Sequence, residues 1–234
     1  MMMNANDIFG WIAACLTIIC YFSPIPLYFK LCRGKIRYND CPNLKVLINY
    51  IICINWFLYS FLLKNNQIFI CFLSGAFFSI ICVLTFLIIL AKIKALKSFL
   101  FALILLFYTI LCYFLLGIII RNTDIVGYIC VIYSLLSLIE PFFILKKTIK
   151  YRNYKYIPIQ LCIIGLVATT CWIIYGFMII NFHIIIPNLI GMVYNFILMF
   201  IWNIFKKRKP IAEEVANYSI NSSKNRPENT VTIA

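Results

Sequence analysis

Two tryptophans and two small polar residues recur at matching places in the two halves of this chain. Trp56 and Trp172 are 116 residues apart, and Ser74 and Asn188 are 114 residues apart. An indole face stacks on the C–H groups of a ligand, whereas hydroxyl and amide groups hydrogen-bond with its hydroxyls. These four side chains therefore predict one pocket for a small polyhydroxylated molecule.

The composition places this pocket in a membrane. The chain is 64% hydrophobic and 12% charged, whereas soluble domains are roughly 25% charged. Runs of about 20 apolar residues are long enough to cross a bilayer, and only helices satisfy the backbone there without a closed barrel. We predict an all-α integral membrane protein with spans at 8–31, 43–63, 67–91, 98–120, 125–146, 158–179 and 183–205.

Prolines repeat with the same period and define the domain organisation. Pro24 and Pro42 recur as Pro141 and Pro158, at offsets of 117 and 116 residues. We expect a three-helix repeat at 8–91, a linker helix at 98–120 and a second three-helix repeat at 125–205. The linker makes the two copies parallel, a 3+1+3 plan typical of transporters whose substrate site lies between repeats. A polar tail at 206–234 is expected to be disordered in the cytosol.

Basic residues predict the orientation. The segments after spans one, three, five and seven hold 19 of the 21 lysines and arginines, whereas Lys64 and Arg121 lie on the other side. The positive-inside rule then puts the N-terminus outside and the C-terminus in the cytosol. The charge of +14 is thereby explained by topology and by contact with anionic lipid, and no nucleic-acid partner is expected. The sequence leaves open whether the membrane is the plasma membrane or an endomembrane.

Several motifs resemble those of the SWEET (MtN3/saliva) sugar transporters over about residues 8–205. The specific ones lie in the second copy, where W-x-x-Y-G occupies 172–176 and P-N-x-x-G occupies 187–191. Further matches are Gly10-Trp11 leading to Phe22-Ser23-Pro24, and Gly127-Tyr128 leading to Glu140-Pro141. The resemblance implies facilitative transport of a sugar by alternating access, with Trp56, Ser74, Trp172 and Asn188 contacting the substrate.

The same resemblance implies two gates. Pro24, Pro42, Pro141 and Pro158 match the proline tetrad of the inner gate, and Tyr59, Lys64 and Tyr175 match positions of the outer gate. A proline inside a helix removes a backbone hydrogen bond and leaves a kink or hinge, which suits a gate. A proline at a helix start needs no such role, and this alternative stays open for Pro42 and Pro158.

The chain departs from the family pattern in three places. Ser74 stands where a second asparagine is usual, and Asn181 stands where an acidic gate residue is usual, so Lys64 loses a charged partner there. The paired Trp56 and Trp172 make a bulky pocket that favours a monosaccharide over a disaccharide.

Glu140 is the one carboxylate well inside a predicted span, and intramembrane carboxylates often relay protons. The first alternative function is therefore a proton-coupled PQ-loop carrier of an amino-acid-like solute, although Pro158 is followed by Ile159 and not by glutamine. A second alternative is a retrieval receptor of the KDEL-receptor kind, which would need basic residues that these spans almost lack. Glu140 can also snorkel toward Lys146 and Lys147.

We expect no enzyme activity, cofactor or metal site. The motifs of hydrolases, zinc proteases and phosphate-binding loops are absent, and the eleven cysteines lie mostly in apolar spans without a CxxC pair. His183, the only histidine, is interpreted as an interfacial polar residue. The expected partners are a sugar and membrane lipid, and assembly into a homo-oligomer is left open.

The orientation generates a first prediction. Asn217-Tyr-Ser and Asn221-Ser-Ser are glycosylation-type triplets in the tail. Because a cytosolic tail never meets the glycosylation machinery, neither asparagine should carry sugar. Mass spectrometry of the tail from protein made in a eukaryotic cell checks this, and a glycan on either site would refute the orientation.

Overall fold

A computed structural model describes residues 5–23, 43–114 and 122–207, together with the isolated positions 25, 29 and 33. This part of the chain is helical. It forms seven α-helices: α1 (Ala5–Phe22), α2 (Asn43–Leu63), α3 (Asn66–Phe114), α4 (Thr123–Leu136), α5 (Ile139–Tyr151), α6 (Ile159–Met178) and α7 (Phe182–Lys206). A 3₁₀ turn at Tyr154–Tyr156 precedes α6. Pro24, Pro42 and the tail beyond 207 lie outside the described residues.

The helices have the length and surface of membrane spans. Four segments are long and apolar enough to cross a bilayer: Asn66–Ile88, Thr123–Tyr151, Ile159–Met178 and Phe182–Lys206. Two shorter apolar helices are Asn6–Phe22 and Ile48–Leu63. Large apolar side chains such as Phe77, Phe107 and Phe200 are each 68% exposed, which a lipid environment accommodates and water does not. The protein is an integral multi-pass membrane protein.

Helix α3 contains two predicted spans. A straight helix would separate Phe86 and Phe101 by about 22 Å, yet their ring centroids are 5.7 Å apart. Tyr50 also donates to or accepts from Thr109 at 2.7 Å and packs in one cluster with Val83. The chain therefore reverses between Phe86 and Phe101, as two passes require. Helical structure continues between the two predicted spans.

The fifth predicted span is interrupted. Helix α4 ends at Leu136, residues 137–138 form a turn, and α5 starts at Ile139. Pro141 explains the position of this turn, because its missing N–H would have bonded the carbonyl of Ser137 four residues earlier. The Ser137 hydroxyl donates to the carbonyl of Ser134 at 2.6 Å, a separate bond in the same turn. The sequence predicted a kink in this span, and the structure has a turn there.

The helices assemble into two similar units. The first unit comprises α1, α2 and the part of α3 up to residue 90, and the second comprises α4 with α5, α6 and α7. In both units the third helix packs against the first and the second, and α1 packs on α6 while α2 packs on α4. The first helix of each unit thus contacts the second helix of the other. This arrangement confirms the 3+1+3 plan.

Matching turns join the second and third helices of the two units. Lys64 and Ile180 both have a left-handed backbone, with φ of 53°. Asn65 and Asn181 follow them and accept from the backbone N–H of Ile68 (3.1 Å) and Ile184 (3.3 Å), which caps α3 and α7. The repeat therefore runs at an offset of 116 residues across these turns.

Close approach of helices at Gly127 generates a second prediction. A Cβ atom placed there would lie 2.5 Å from Cγ of His183, whereas one at Gly191 would meet a Thr169 methyl at an ordinary 3.5 Å. Gly127→Ala should destabilise the protein by about 1–3 kcal/mol through overpacking. Thermal unfolding of detergent-purified protein measures this, with Gly191→Ala as the matched control. Equal melting temperatures for the two variants would contradict the close packing of α4 against α7 at Gly127.

Candidate functional site

A cavity of about 320 Å³ lies between the two units. Its walls repeat, because many lining residues of the first unit are matched by a lining residue 116 or 117 positions later. The matched pairs are Thr17 and Ser134, Cys20 and Ser137, Tyr21 and Leu138, Asn49 and Gly165, Ile52 and Ala168, Trp56 and Trp172, Ile68 and Ile184, and Phe72 and Asn188. Both units thus contribute equivalent surfaces to one site.

Two buried tryptophans, one from each unit, contribute to the walls of this cavity. Trp56 is 5% exposed and Trp172 is 6% exposed. The indole N–H of Trp56 donates to the hydroxyl of Ser134 at 2.9 Å, and that of Trp172 donates to the hydroxyl of Thr17 at 2.9 Å. The first bond joins α2 to α4, and the second joins α6 to α1. Each tryptophan is therefore held by a residue of the opposite unit.

Phe72 and Asn188 make the cavity asymmetric. Phe72 stacks on Trp56, with ring centroids 5.3 Å apart and planes at 12°. Asn188 occupies the equivalent position in the second unit, and its Nδ2 donates to the carbonyl of Ile184 at 2.7 Å. An amide has two N–H groups and a carbonyl oxygen, so this bond leaves hydrogen-bonding capacity that a ligand can use. At this position the second unit contributes an amide where the first unit contributes an aromatic ring.

Ser74 is not brought into the site. It is absent from the residues that line the cavity, and its hydroxyl donates to the carbonyl of Cys71 at 2.7 Å. The sequence comparison paired Ser74 with Asn188 because both are polar, but the caps at Asn65 and Asn181 fix the offset at 116. This register pairs Asn188 with Phe72 instead. The 116-residue spacing of Gly75 and Gly191 was the signal that could have shown it.

Sequence reasoning also missed three polar groups in the cavity. Thr17, Ser134 and Asn49 all line it. Asn49 donates to the hydroxyl of Ser79 at 2.8 Å. A serine or threonine inside an apolar span carries little signal alone, but Thr17 and Ser134 lie 117 residues apart, seven positions before Pro24 and Pro141. The proline repeat could have singled them out.

Two buried tyrosines, Tyr59 and Tyr175, lie between the tryptophans and the capped turns, and this end of the two units is here called the closed end. Tyr59 is 1% exposed and Tyr175 is 2% exposed. They contact the edges of Trp56 and Trp172, with centroids 5.5 and 5.7 Å apart. These contacts seat the tyrosine rings directly on the aromatic walls.

Asparagines of the opposite unit hold these tyrosines in place. Asn181 Nδ2 donates to the Tyr59 hydroxyl at 2.7 Å, and Asn65 Nδ2 donates to the Tyr175 hydroxyl. The Tyr175 hydroxyl also donates to Gln67 Oε1 at 3.3 Å. Asn181 therefore makes the same contact as Asn65, and each is a hydrogen bond between an uncharged amide and an uncharged hydroxyl.

The sequence matches, at residues 7–95 and 124–210, the family described as sugar efflux transporters for intercellular exchange (MtN3/saliva). The chain belongs to this family, the SWEET family. The two matched stretches correspond to the two units, and the segment between them contains the linker.

Relatives and a solved structure agree with this assignment. The chain is 25% identical over 208 residues to the bidirectional sugar transporter SWEET10 of Arabidopsis thaliana, covering 86% of this chain and 71% of the relative. It is 25% identical over 224 residues to NEC1 of Petunia hybrida, another bidirectional sugar transporter, covering 91% and 82%. A eukaryotic SWEET transporter solved at 3.7 Å superimposes with a TM-score of 0.78 at 14% identity, covering 88% of this chain and all of that one. This last similarity shows the SWEET fold.

Two of the four prolines predicted to form the inner gate, Pro141 and Pro158, lie among the described residues. Pro158 caps α6, and its carbonyl accepts from the backbone N–H of Leu161 (2.9 Å) and Cys162 (3.2 Å). Pro141 is the third residue of α5, just after the turn at 137–138. A gating role for both stays a prediction, and the side chain of Glu140 lies outside what the structure describes.

At the closed end, Lys64 is exposed, and its neighbour Asn65 donates a hydrogen bond to Tyr175. A role of Lys64 in the outer gate stays a prediction.

The histidine also lies at the closed end. His183 is partly buried, its Nδ1 lies 3.4 Å from the Tyr59 hydroxyl, and its ring meets the edge of Tyr128 with centroids 4.7 Å apart. It occupies the place of Gln67 in the other unit.

Proposed function

We propose that this SWEET-family protein is a facilitative carrier that moves sugars, monosaccharides above all, across a membrane by alternating access between its two units. The carrier performs no covalent chemistry and needs no cofactor. The observation that carries the proposal is the cavity between the units, which is lined by the aromatic rings of Trp56 and Trp172 and by the amide of Asn188. This pair suits a sugar, whose ring has apolar C–H faces and a rim of hydroxyls.

The size of the cavity supports a small substrate. Pockets for small molecules run from about 300 to 1,000 Å³, and about 320 Å³ is at the lower end of that range. Three bulky aromatic side chains, Phe72, Trp56 and Trp172, take up part of the lining of this cavity. A monosaccharide therefore fits the site better than a disaccharide.

The closed end supports alternating access. Tyr59 and Tyr175 block one route out of the cavity. The hydroxyl of each accepts a hydrogen bond from an asparagine of the opposite unit. A rocking motion of one unit against the other would separate these pairs and open that route. The turn before Pro141 offers a place where the second unit can bend.

Membership in the family favours this function over the two alternatives. The match covers both units, and the named relatives are bidirectional sugar transporters. A proton-coupled PQ-loop carrier would have glutamine after Pro158, whereas this chain has Ile159 there. A retrieval receptor would need basic groups in the cavity, and the described residues that line it carry none.

The orientation of the carrier follows from its charge distribution. With the N-terminus outside and the tail in the cytosol, the closed end faces the outside and the proline end faces the cytosol. The partners in this scheme are the sugar and surrounding lipid, in the plasma membrane or an endomembrane. The two units of one chain are enough to form the cavity. Assembly into a homo-oligomer would therefore multiply the number of cavities and is not needed to form one.

Substitution of two cavity residues, Asn188 and Trp172, is the third prediction. Asn188→Ala should raise the KM for sugar uptake about tenfold, because it removes an amide that bonds a substrate hydroxyl. Trp172→Ala should raise it at least as much, because it also removes the stacking face. Uptake and efflux of labelled glucose, fructose and sucrose in a transport-deficient cell measure both effects.

Matched controls lie on the same helices but face outward. Val193 on α7 is 54% exposed and Phe177 on α6 is 59% exposed. Val193→Ala and Phe177→Ala should leave uptake close to that of the unmodified protein. Uptake that survives Asn188→Ala and Trp172→Ala at unchanged KM would show that the assigned pocket is wrong.

Proton coupling is tested by a fourth prediction. Glu140 is the second residue of α5, directly before Pro141. If transport is uniport, Glu140→Gln preserves the hydrogen-bonding shape of the side chain and leaves the pH dependence of uptake unchanged. Uptake measured from pH 5 to pH 8 checks this, and a pH dependence that disappears in the variant would support the proton-coupled alternative.

A further inference from the structure

Two crossed hydrogen bonds tie the aromatic walls of the cavity to the opposite units. Trp172 on α6 donates to Thr17 on α1, and Trp56 on α2 donates to Ser134 on α4, both at 2.9 Å. The two bonds are equivalent under the internal repeat, because the tryptophans are 116 residues apart and the hydroxyl residues are 117 apart. The same contact has thus been built twice.

The chemistry of each pair makes the hydroxyl residue an acceptor. An indole N–H can only donate, and a buried donor without a partner is unfavourable. The hydroxyl proton of Thr17 is engaged with the carbonyl of Ala13 at 2.8 Å. The Thr17 oxygen therefore presents a lone pair toward Trp172, and this geometry fixes the direction of the indole plane.

We propose that Thr17 and Ser134 are positioning residues, each of which orients the tryptophan supplied by the other unit so that its ring face lines the cavity. The idea rests on the proposed function, because it assigns those ring faces to the sugar. The indole N–H groups are used by the protein, so a substrate meets the aromatic surface and not the donor. Both aromatic walls are then complete only while α1 packs on α6 and α2 packs on α4.

This role differs from direct binding, although Thr17 and Ser134 also line the cavity. If Thr17 bonded the sugar itself, replacing Thr17 would change the KM for sugar uptake whether or not residue 172 has an N–H. If Thr17 acts through Trp172, replacing it changes the KM only while that N–H is present. The two roles therefore predict different results in a double-mutant cycle.

The cycle combines Thr17→Val, which keeps the shape but removes the acceptor, with Trp172→Phe, which keeps an aromatic ring but removes the donor. Thr17→Val alone should raise the KM for sugar uptake about fivefold, the effect of losing one typical hydrogen bond. In the Trp172→Phe background the same change should alter KM by less than about twofold. Thr17→Ser retains the acceptor, so the KM of this variant should stay close to that of the unmodified protein.

Crossed pairing supplies the matched control. Trp56→Phe removes the indole that pairs with Ser134 and not with Thr17. Thr17→Val should therefore keep its full effect, about fivefold in KM, in the Trp56→Phe background. Ser134→Ala should behave as the mirror image, losing its effect with Trp56→Phe and keeping it with Trp172→Phe.

Melting temperatures of the purified variants without sugar separate failure of this inference from failure of the proposed function. Non-additive melting temperatures for Thr17→Val and Trp172→Phe would support the bond even if the unmodified protein carried no sugar, in which case only the transport function fails. Additive melting temperatures would overturn the bond. Coupled melting temperatures together with a KM effect of Thr17→Val that persists in Trp172→Phe would assign Thr17 to direct sugar binding and overturn the positioning role.

Discussion

A polar side chain buried among lipid-embedded helices is stabilised by a partner inside the protein, because hydrocarbon offers none. In this molecule the partners of four central aromatic side chains come from the opposite three-helix unit: Ser134 for Trp56, Thr17 for Trp172, Asn181 for Tyr59 and Asn65 for Tyr175. The boundary between the units is therefore held by discrete hydrogen bonds as well as by apolar packing. Since a typical hydrogen bond contributes about 1 kcal/mol net, such ties can be exchanged one at a time without unfolding the bundle.

The internal repeat is kept over most of the scaffold and over most of the cavity. The capped turns and the paired tryptophans and tyrosines match across the two units. Phe72 and Asn188 occupy equivalent positions and differ in chemistry, although both line the cavity. At this position the first unit offers an aromatic ring and the second unit an amide, so the two ends of a bound sugar would meet different groups.

A second broken pair shows how the repeat can change residues while keeping the chemistry. Asn49 on α2 donates to Ser79 on α3 in the first unit. The equivalent place on α6 is Gly165, where an added Cβ would lie 3.2 Å from Nδ2 of Asn195 on α7. The amide has moved from the second helix of one unit to the third helix of the other. The second unit accommodates it because glycine leaves the space.

The sequence was sufficient to predict the helical membrane fold and its two parallel units, because hydropathy and the proline period both act over many residues. It was insufficient where one hydrogen bond decides the outcome. Ser74 was matched to Asn188 by polarity, whereas the caps at Asn65 and Asn181 set the register that puts Phe72 in the cavity. A hydropathy pattern does not carry the direction of a hydroxyl, so the crossed roles of Thr17 and Ser134 required the packed helices.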